Sequence, residues 1–399
     1  MKSNNGVIRI GIQQGSLASY RVALFRALNQ QPGFEVTVVH GLLPQFDHQQ
    51  GDGFEVETSA LVKARFGPIP VYLDRAQWTM ATSGQFDVVI YVWNAQYLWL
   101  WPSLLAAKWK GVPTILWGHG YSKRESFSRR WARELLTRLA TSVLVYDRDT
   151  AAKLRQRFKY LHERVFYASN AIDQEAIASA RVDRSDAKLK DFCRTHSLDP
   201  SATILFVSRY DPANRLDLLL ESASQLVKRH PTLKVVIIGK GNTNNAELQT
   251  MVQRLNLTTH VLIQPAVYNE QQLALWFGAA TMFCYPANIG LSVLHAFGYG
   301  VPVITHNDRS SQNPEFINLQ HDRNGLLYES GSSESLQQAI DILIDDPRKR
   351  NRLSQGALQT AAEVNISAMV EGFSRSIRAS VTAAAAKAES QATGTTDVR

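Results

Sequence analysis

Residues 282–304 read MFCYPANIGLSVLHAFGYGVPVI, and this stretch is typical of an α/β fold. A short strand ends at Cys284, a turn containing Gly290 follows, a helix begins near Leu291, and another strand begins at Val303. The backbone N–H groups and the dipole at such a helix start bind anions, and a glycine lets a phosphate come close to the backbone. The stretch predicts a strand–turn–helix unit with an anion site, although an ordinary connection between two strands would read similarly.

The same alternation runs through the second half of the chain. Strands are predicted at 203–207, 234–238, 261–263, 281–284 and 303–305, and helices at 216–229, 244–255, 269–278 and 291–299. Such alternation predicts a mostly parallel sheet that is covered by helices on both faces.

The first half shows the pattern as well. Strands are predicted at 7–12, 35–40, 86–93, 113–117, 142–146 and 164–168. Residues 45–73 fit the pattern poorly and are predicted to be an irregular insertion. Two α/β units are expected to face each other across a cleft at the carboxyl ends of their strands, where open α/β sheets bind ligands.

The charge pattern indicates the domain boundaries, and the cysteines and the polar start indicate the cellular compartment. The charge pattern changes after residue 172, which predicts domains at 1–172 and 173–360. A helix at 361–381, whose return to the first domain is left open, precedes a tail at 382–399 that is predicted to be disordered. Two cysteines in no metal or redox spacing and a polar start without a signal peptide indicate a cytoplasmic protein.

One uncharged segment, 88–107, is long enough to cross a membrane. Asn94, Gln96 and Pro102 interrupt it, so a buried strand, a loop and a helix with Pro102 in its first turn are expected instead.

Positive charge is concentrated in one part of the chain. Between Lys108 and Arg164 there are 14 Lys and Arg but 5 Asp and Glu, within a total net charge of +8. This field suits anionic partners such as a membrane surface, a phosphorylated acceptor or nucleic acid. A solvated surface without a partner is an equal alternative.

A second candidate site lies at Ser208-Arg209-Tyr210-Asp211-Pro212-Ala213-Asn214-Arg215. Arg209 follows a predicted strand and Arg215 opens a predicted helix, and a guanidinium can hold a phosphate through two parallel hydrogen bonds. The alternative is an arginine that pairs with Asp211 or Asp217 on the surface.

Taken together, the two segments resemble the donor domain of family 4 of the retaining glycosyltransferases, also called group 1, which have the α/β GT-B fold of two Rossmann-like domains facing across a cleft. The order of Arg209, Val236-Ile237-Ile238-Gly239-Lys240-Gly241, Pro265-Ala266-Val267-Tyr268, the glycine turn and Gly300-Val301-Pro302 carries the likeness. The first half matches more loosely, through its first glycine-containing loop, Trp117-Gly118-His119-Gly120, and Asn170 with Asp173.

The resemblance implies a set of site residues. His119 and Arg209 are expected to be catalytic, with His119 beside the donor sugar; a loop histidine that is satisfied by the backbone is the alternative. The residues expected to bind the donor are Gly15, Ser16, Arg209, Asn214, Arg215, Gly239, Val267, Tyr268, Asn288, Ile289, Gly290, Leu291, Ser292 and His295.

This chain departs from the family at three positions. Family members usually have glutamates at the positions of Ala287 and His295 and a lysine at that of Asn214. The second glutamate holds the ribose hydroxyls, a contact that a ring nitrogen of His295 could make, whereas Ala287 cannot replace the first. Thr305-His306-Asn307-Asp308 and Pro314-Glu315-Phe316 resemble a subgroup that lacks the glutamate pair.

Two weaker signals lie in the basic stretch. Phe127, Trp131, Leu135 and Leu139 recur every four residues, which predicts either a helix face that packs on the core or a helix whose basic side touches anionic lipid or acceptor. Asp147 and Asp149 have the spacing of a metal-binding pair, but Asp149 is expected to cap a helix that starts at Thr150.

The sequence therefore predicts a transferase that moves a sugar from a nucleotide diphosphate donor to a hydroxyl acceptor, with retention and without a metal or other cofactor. The acceptor class (anionic, lipid-linked or a small molecule) and peripheral contact with an anionic membrane at its inner face are left open, and no nucleic acid partner is expected. A nucleotide-sugar epimerase and a non-catalytic binding subunit are the alternatives. The N-terminal domain is expected to serve the acceptor and the C-terminal domain the nucleotide sugar.

Overall fold

The computed structural model describes residues 6–42, 51–67, 69–120, 127–240 and 246–393. The chain divides into two compact units. Unit 1 comprises Met1–Asn170 and Ile366–Arg399, and unit 2 comprises Ala171–Asn365. The chain thus leaves unit 1 two residues before the predicted boundary and returns to it for its last helix.

Unit 1 is built on parallel strands. They are β1 (Ile8–Gln14), β2 (Phe34–Gly41), β3 (Glu55–Ser59), β6 (Val88–Val92), β7 (Thr114–Trp117), β8 (Ser142–Val145) and β9 (Val165–Tyr167). Their order in the sheet is β3-β2-β1-β6-β7-β8-β9, and β4 (Val62–Phe66) pairs separately with β5 (Ile69–Leu73) in antiparallel fashion. The helices are α1 (Ser19–Asn29), α2 (Ala76–Thr82), α3 (Leu100–Lys110), α4 (Phe127–Leu139), α5 (Arg148–Arg157) and α14 (Ile366–Thr393).

Strand β6 of unit 1 is apolar throughout, and β7 and β8 are apolar after their first residue, because helices cover both faces of a parallel sheet. Helix α14 completes this cover. Its Phe373 is fully buried and meets Trp117 of β7 edge to face, with ring centroids 4.8 Å apart. The hydroxyls of Ser380 and Ser142 form a buried hydrogen bond of 2.7 Å.

Two predictions for unit 1 are wrong. Within 45–73, the described residues are not irregular: β3 extends the main sheet beside β2, and β4 and β5 form their own pair. Residues 382–393 of the predicted disordered tail belong to α14. The alanine run that suggested low complexity is also the best helix-forming composition, and the buried half of α14 provides the start from which the helix continues.

Unit 2 has a six-stranded parallel sheet. Its strands are β10 (Thr203–Val207), β11 (Lys234–Ile238), β12 (Val261–Gln264), β13 (Met282–Cys284), β14 (Val303–His306) and β15 (Gly325–Tyr328), in the order β12-β11-β10-β13-β14-β15. The helices are α6 (Gln174–Asp183), α7 (Asp186–Thr195), α8 (Leu216–Leu226), α9 (Ala246–Arg254), α10 (Glu270–Gly278), α11 (Ser292–Gly298), α12 (Ser333–Asp345) and α13 (Pro347–Glu363).

Each main sheet reverses its strand order once. In unit 1 the reversal lies between β1 and β6, and in unit 2 it lies between β10 and β13. Open α/β sheets bind ligands beyond the carboxyl ends of the strands at such a point. The topology therefore directs attention to the segments that follow β1, β10 and β13.

Segment 88–107 contains β6 and the first part of α3, as the sequence predicts. Among the described residues, no helix is both long enough and apolar enough to cross a membrane.

Candidate functional site

Arg209 lies just beyond β10, at the reversal point of unit 2. Its side chain is exposed and has no hydrogen-bond or ion-pair partner in the part of the chain that the structure describes. Tyr285, which follows the neighbouring β13, is close by: burial raises the pKa of its phenol, while a hydrogen bond with Ser208 and the charge of Arg209 oppose the rise. The Arg209 guanidinium is thus a cation with unused donors beside the turn after β13.

Arg215 and Asn214 have structural partners instead. The Nε of Arg215 lies 3.0 Å from both carboxylate oxygens of Asp217, so the surface-pair alternative holds for this arginine. Asn214 is buried, and its side-chain amide donates a 2.6 Å hydrogen bond to the backbone oxygen of Arg209. Asn214 therefore fixes the turn that carries Arg209 rather than supplying the charge of a lysine.

Gly239 keeps the ends of β10 and β11 together. A Cβ added at this position would lie 1.8 Å from the backbone oxygen of Ser208, so no other residue fits without moving the strand end. The backbone N–H of Tyr210 also donates to the oxygen of Lys240, at 3.1 Å. The backbone on either side of Arg209 is thus held by its neighbours.

The turn after β13 is held by three neutral side chains from later segments. Tyr328 donates to the oxygen of Pro286 at 2.5 Å, and Asn313 donates to the oxygen of Asn288 at 2.5 Å. The side-chain oxygen of Gln312 accepts from the N–H of Ile289 at 2.7 Å. These bonds hold Asn288 in the left-handed region, at φ +38°, which asparagine tolerates better than most residues.

Three consecutive backbone N–H groups of this turn take no part in these hydrogen bonds. The N–H groups of Gly290, Leu291 and Ser292 have no hydrogen-bond partner among the described residues, and α11 begins at Ser292. Such amides at a helix start bind anions. The glycine turn thus presents three donors without a partner in the described chain, and it follows the strand adjacent to the one that precedes Arg209.

Glu315 brings a carboxylate to this turn from the Pro314-Glu315-Phe316 segment. It is buried, and its Oε2 would be 3.9 Å from a Cβ on Gly290. The absence of a glutamate at Ala287 thus does not leave the turn without an acidic group nearby.

His295 lies one helical turn along α11. Its Nε2 is 2.8 Å from Oε1 of Glu270, the first residue of α10, and the Tyr299 hydroxyl donates to the same oxygen at 2.5 Å. Burial raises the pKa of the Glu270 carboxyl, but the hydrogen bonds from His295 and Tyr299 outweigh it and lower the pKa overall. One of the two ring nitrogens of His295, Nε2, is therefore engaged by Glu270.

The loop after β12 carries Val267 and Tyr268. Tyr268 is 79% exposed, which is unusual for a large aromatic side chain. Exposure leaves its ring face open to a planar partner.

In unit 1, the predicted residues Gly15 and Ser16 follow β1 at the reversal point, and Arg21 of α1 lies with them. The Arg21 guanidinium donates to the Tyr146 hydroxyl at 3.2 Å and to the side-chain oxygen of Gln14. It also lies 4.2 Å from the centre of a Trp117 ring. These partners are all neutral, so the positive charge of Arg21 is not balanced by them.

His119 is exposed in the turn after β7, and its ring centre is 4.7 Å from that of Tyr146. The glycines on either side are required by the packing. A Cβ on Gly118 would meet Trp93 at 2.9 Å, and Gly120 has a φ of +71°. His119, Tyr146 and Arg21 thus lie together at one edge of the unit 1 sheet.

Two family descriptions match this chain in succession. "Glycosyltransferase Family 4" matches residues 18–176, and "Glycosyl transferases group 1" matches residues 191–360. The chain belongs to the group 1 glycosyltransferases. This assignment selects the transferase among the three classes that the sequence left open.

Individual relatives agree with the assignment. The D-inositol 3-phosphate glycosyltransferase of Frankia alni is 26% identical over 351 residues, which are 82% of this chain and 79% of the relative. An uncharacterized glycosyltransferase of Haemophilus influenzae is 24% identical over 290 residues, 72% of this chain and 75% of the relative. The crystal structure of Anabaena Alr3699/HepE in complex with UDP has a TM-score of 0.71 at 15% identity and covers 94% of this chain and 100% of its own. The glycosyltransferase therefore has the GT-B fold of two Rossmann-like domains.

The aspartate pair of this glycosyltransferase has a structural role that differs from the prediction. Asp147, not Asp149, caps α5: its carboxylate oxygens accept from the N–H and the hydroxyl of Thr150, both at 2.7 Å. In the described part of the chain, one group could hold a metal, namely His230, Asp341 and Asp345 in unit 2, and Arg229 is paired with its Asp341.

The predicted apolar stripe of α4 is correct at Leu139, which packs against the core, and wrong at Trp131. Leu136, rather than Trp131, is fully buried, and Trp131 is 60% exposed. The side chain of Phe127 lies outside the described residues. Spacing by four residues drifts around a helix of 3.6 residues per turn, so the buried face includes Leu136 and Thr137 instead.

Sequence reasoning missed Arg21 in unit 1 and Glu270 and Glu315 in unit 2 as residues that lie beside predicted ones. Arg21 and Glu270 have no motif around them, and the partners Tyr146 and His295 lie 125 and 25 residues away in the chain. Pro314-Glu315-Phe316 carries the likeness to a subgroup, but nothing in the sequence indicates that Glu315 approaches Gly290.

The two site glycines should respond differently to substitution. Gly239→Ala should lower the free energy of unfolding by about 1–3 kcal/mol or more, because the new Cβ must displace the backbone of Ser208. Gly290→Ala should change stability by roughly 0.5 kcal/mol or less, since the nearest atom to its Cβ is Asn313 Nδ2 at 3.4 Å. Urea unfolding followed by circular dichroism measures both; equal losses would contradict the assignment of Gly239 to strand spacing.

Proposed function

We propose that this glycosyltransferase transfers a sugar from a nucleoside diphosphate donor to a hydroxyl acceptor with retention of the anomeric configuration, and that unit 2 binds the diphosphate. One observation carries the proposal: Arg209 and the amides of Gly290, Leu291 and Ser292, all without a partner among the described residues, follow the adjacent strands β10 and β13. The similar structures of Alr3699/HepE in complex with UDP and with UDP-glucose support a donor of this class.

In this mechanism the bond between the sugar C1 and the terminal phosphate oxygen breaks, and negative charge develops on the diphosphate. Arg209 and the amides stabilise that charge because they are held in place before the reaction. A bond forms between C1 and the acceptor oxygen, and the acceptor's proton passes to the departing phosphate oxygen. His119 is the residue of unit 1 that we propose for contact with the reacting sugar.

Charge in unit 1 supports an anionic acceptor. Arg21 has a positive charge with neutral partners, and the relative from Frankia alni is named for a phosphorylated acceptor. Trp109 and Trp131, 85% and 60% exposed within the basic stretch, favour contact of this part of unit 1 with an anionic membrane surface.

Incubation with UDP-, ADP- and GDP-linked sugars tests the function. We expect slow hydrolysis of one donor in the absence of acceptor, with the released sugar seen first by NMR in the anomeric configuration that the donor had. An epimerised donor would instead identify an epimerase, and binding without turnover would identify a binding subunit. Release of the opposite anomer would contradict retention.

Arg209→Ala should weaken binding of a nucleoside diphosphate roughly ten- to hundredfold, because a hydrogen bond to a charged group contributes about 1.5–3 kcal/mol. Binding of the nucleoside should change little. Calorimetry with both ligands measures the difference. Arg348→Ala, at an exposed arginine of α13, is the control and should leave both affinities unchanged. Equal losses for the two ligands in Arg209→Ala would refute the role of this residue.

Donor hydrolysis should persist in excess EDTA, because we propose that Arg209 and backbone amides, rather than a divalent ion, hold the diphosphate. Asp147 supports this expectation, since Thr150 occupies both of its oxygens. The rate with and without chelator is the measurement. Complete loss in EDTA with recovery on addition of manganese would restore the aspartate pair as a metal site.

A further inference from the structure

Helices α10 and α11 of unit 2 bring together a carboxylate, an imidazole and a phenol. Glu270 provides the carboxylate from the first turn of α10, His295 of α11 provides the imidazole, and Tyr299, the C-cap residue of α11, provides the phenol. The ring of Phe277 packs on both partners, with centroids 5.0 Å from His295 and 4.7 Å from Tyr299. Both rings are therefore fixed in orientation before they contact Glu270.

The two oxygens of Glu270 are used unequally. Oε1 receives both hydrogen bonds, from His295 at 2.8 Å and from Tyr299 at 2.5 Å. Oε2 has no partner among the described residues, and the side chain is 28% exposed. A carboxylate accepts on both oxygens, so Oε2 remains a charged acceptor that is held at a fixed place.

The bond to His295 ties this acceptor to the same helix, α11, whose start carries the unused amides. His295 follows Leu291 by four residues, which is about 6 Å along a helix. Side chains of a helix lean toward its N-terminus, so His295, and the carboxylate bonded to it, lie on the side of the unused amides. A polar group attached a few bonds away from a phosphate at those amides falls within reach of Oε2.

We propose that Glu270 is the residue that binds the ribose hydroxyls of the donor, and that His295 and Tyr299 are positioning residues that hold its carboxylate. This inference rests on the proposed donor function of unit 2. The adjacent hydroxyls of a ribose are neutral donors, which match a negatively charged acceptor. His295 thus acts on the ribose through Glu270 and not through its own ring nitrogen.

Discrimination between ribose and deoxyribose tests the proposal. Calorimetry is run with UDP and 2′-deoxy-UDP, and with the corresponding ADP and GDP pairs. The wild-type protein should bind the ribose form of one pair about tenfold more tightly, as expected for a hydrogen bond to a charged acceptor. In Glu270→Ala the ratio should fall to about one, and the deoxy form, which keeps its 3′ hydroxyl, should lose less affinity than the ribose form. Tyr299→Phe, which keeps the ring stack, should reduce the ratio only in part.

Glu334→Ala is the matched control, since Glu334 is also a first-turn carboxylate, on α12, and is exposed. Its ratio should equal that of the wild type. Thermal unfolding verifies that each variant is folded, and Glu270→Gln, of the same size, replaces the alanine variant if that one does not fold.

The outcomes separate the two proposals. If the wild type binds none of the diphosphates, the donor function itself fails. If the wild type discriminates and a folded Glu270 variant keeps the full ratio, the role of Glu270 is overturned. If the ratio is lost in His295→Ala but retained in Glu270→Ala, the histidine binds the ribose directly.

Discussion

The turn between β13 and α11 is the constraint on which the site of unit 2 depends. Tyr328, Asn313 and Gln312 bond to its backbone and hold Asn288 in a left-handed conformation. Because these partners bond to other backbone atoms of the turn, they fix its conformation, while the amides of Gly290 to Ser292 have no partner in the part of the chain that the structure describes. Fixed dipoles stabilise developing charge without reorganising during a reaction.

Two of the three residues after β10 that were expected to bind the donor do not provide an unpaired positive charge. Arg215 is neutralised by Asp217, and Asn214, where the family resemblance implies a lysine, bonds to the backbone of Arg209. Of these residues after β10, Arg209 is therefore the one whose positive charge has no partner among the described residues. The backbone on either side of Arg209 is held by hydrogen bonds. Its side chain therefore loses less conformational freedom on binding than an arginine on a mobile loop would, which favours tight binding by few groups.

The sequence predicted the secondary structure correctly where a segment fitted one structural pattern and no other. Strands such as β10 and β11 are continuous apolar runs between turn residues, and their predicted bounds agree with the structure. The predictions failed where a segment fitted no pattern clearly or fitted more than one. Strands β4 and β5 contain no fully buried residue, so neither shows the pattern of a core strand, and the tail's alanines suited disorder and helix alike. Two aspartates one residue apart could each cap α5, and only the backbone geometry decides for Asp147.

The candidate site was predictable on the same terms. The glycine turn and Arg209 follow strands directly, so their meeting at the reversal point follows from the topology. The partner of His295 could not be found in this way, because Glu270 lies 25 residues earlier on another helix.

That pairing gives a physical reason for the histidine. A glutamate at position 295 would place a second carboxylate against Glu270, and two like charges at such a distance cannot both remain ionised without cost. An imidazole at the same position donates a hydrogen bond and stabilises the ionised form, in keeping with the lowered pKa of Glu270. The substitution that removes the usual carboxylate from α11 is therefore the one that lets α10 supply it.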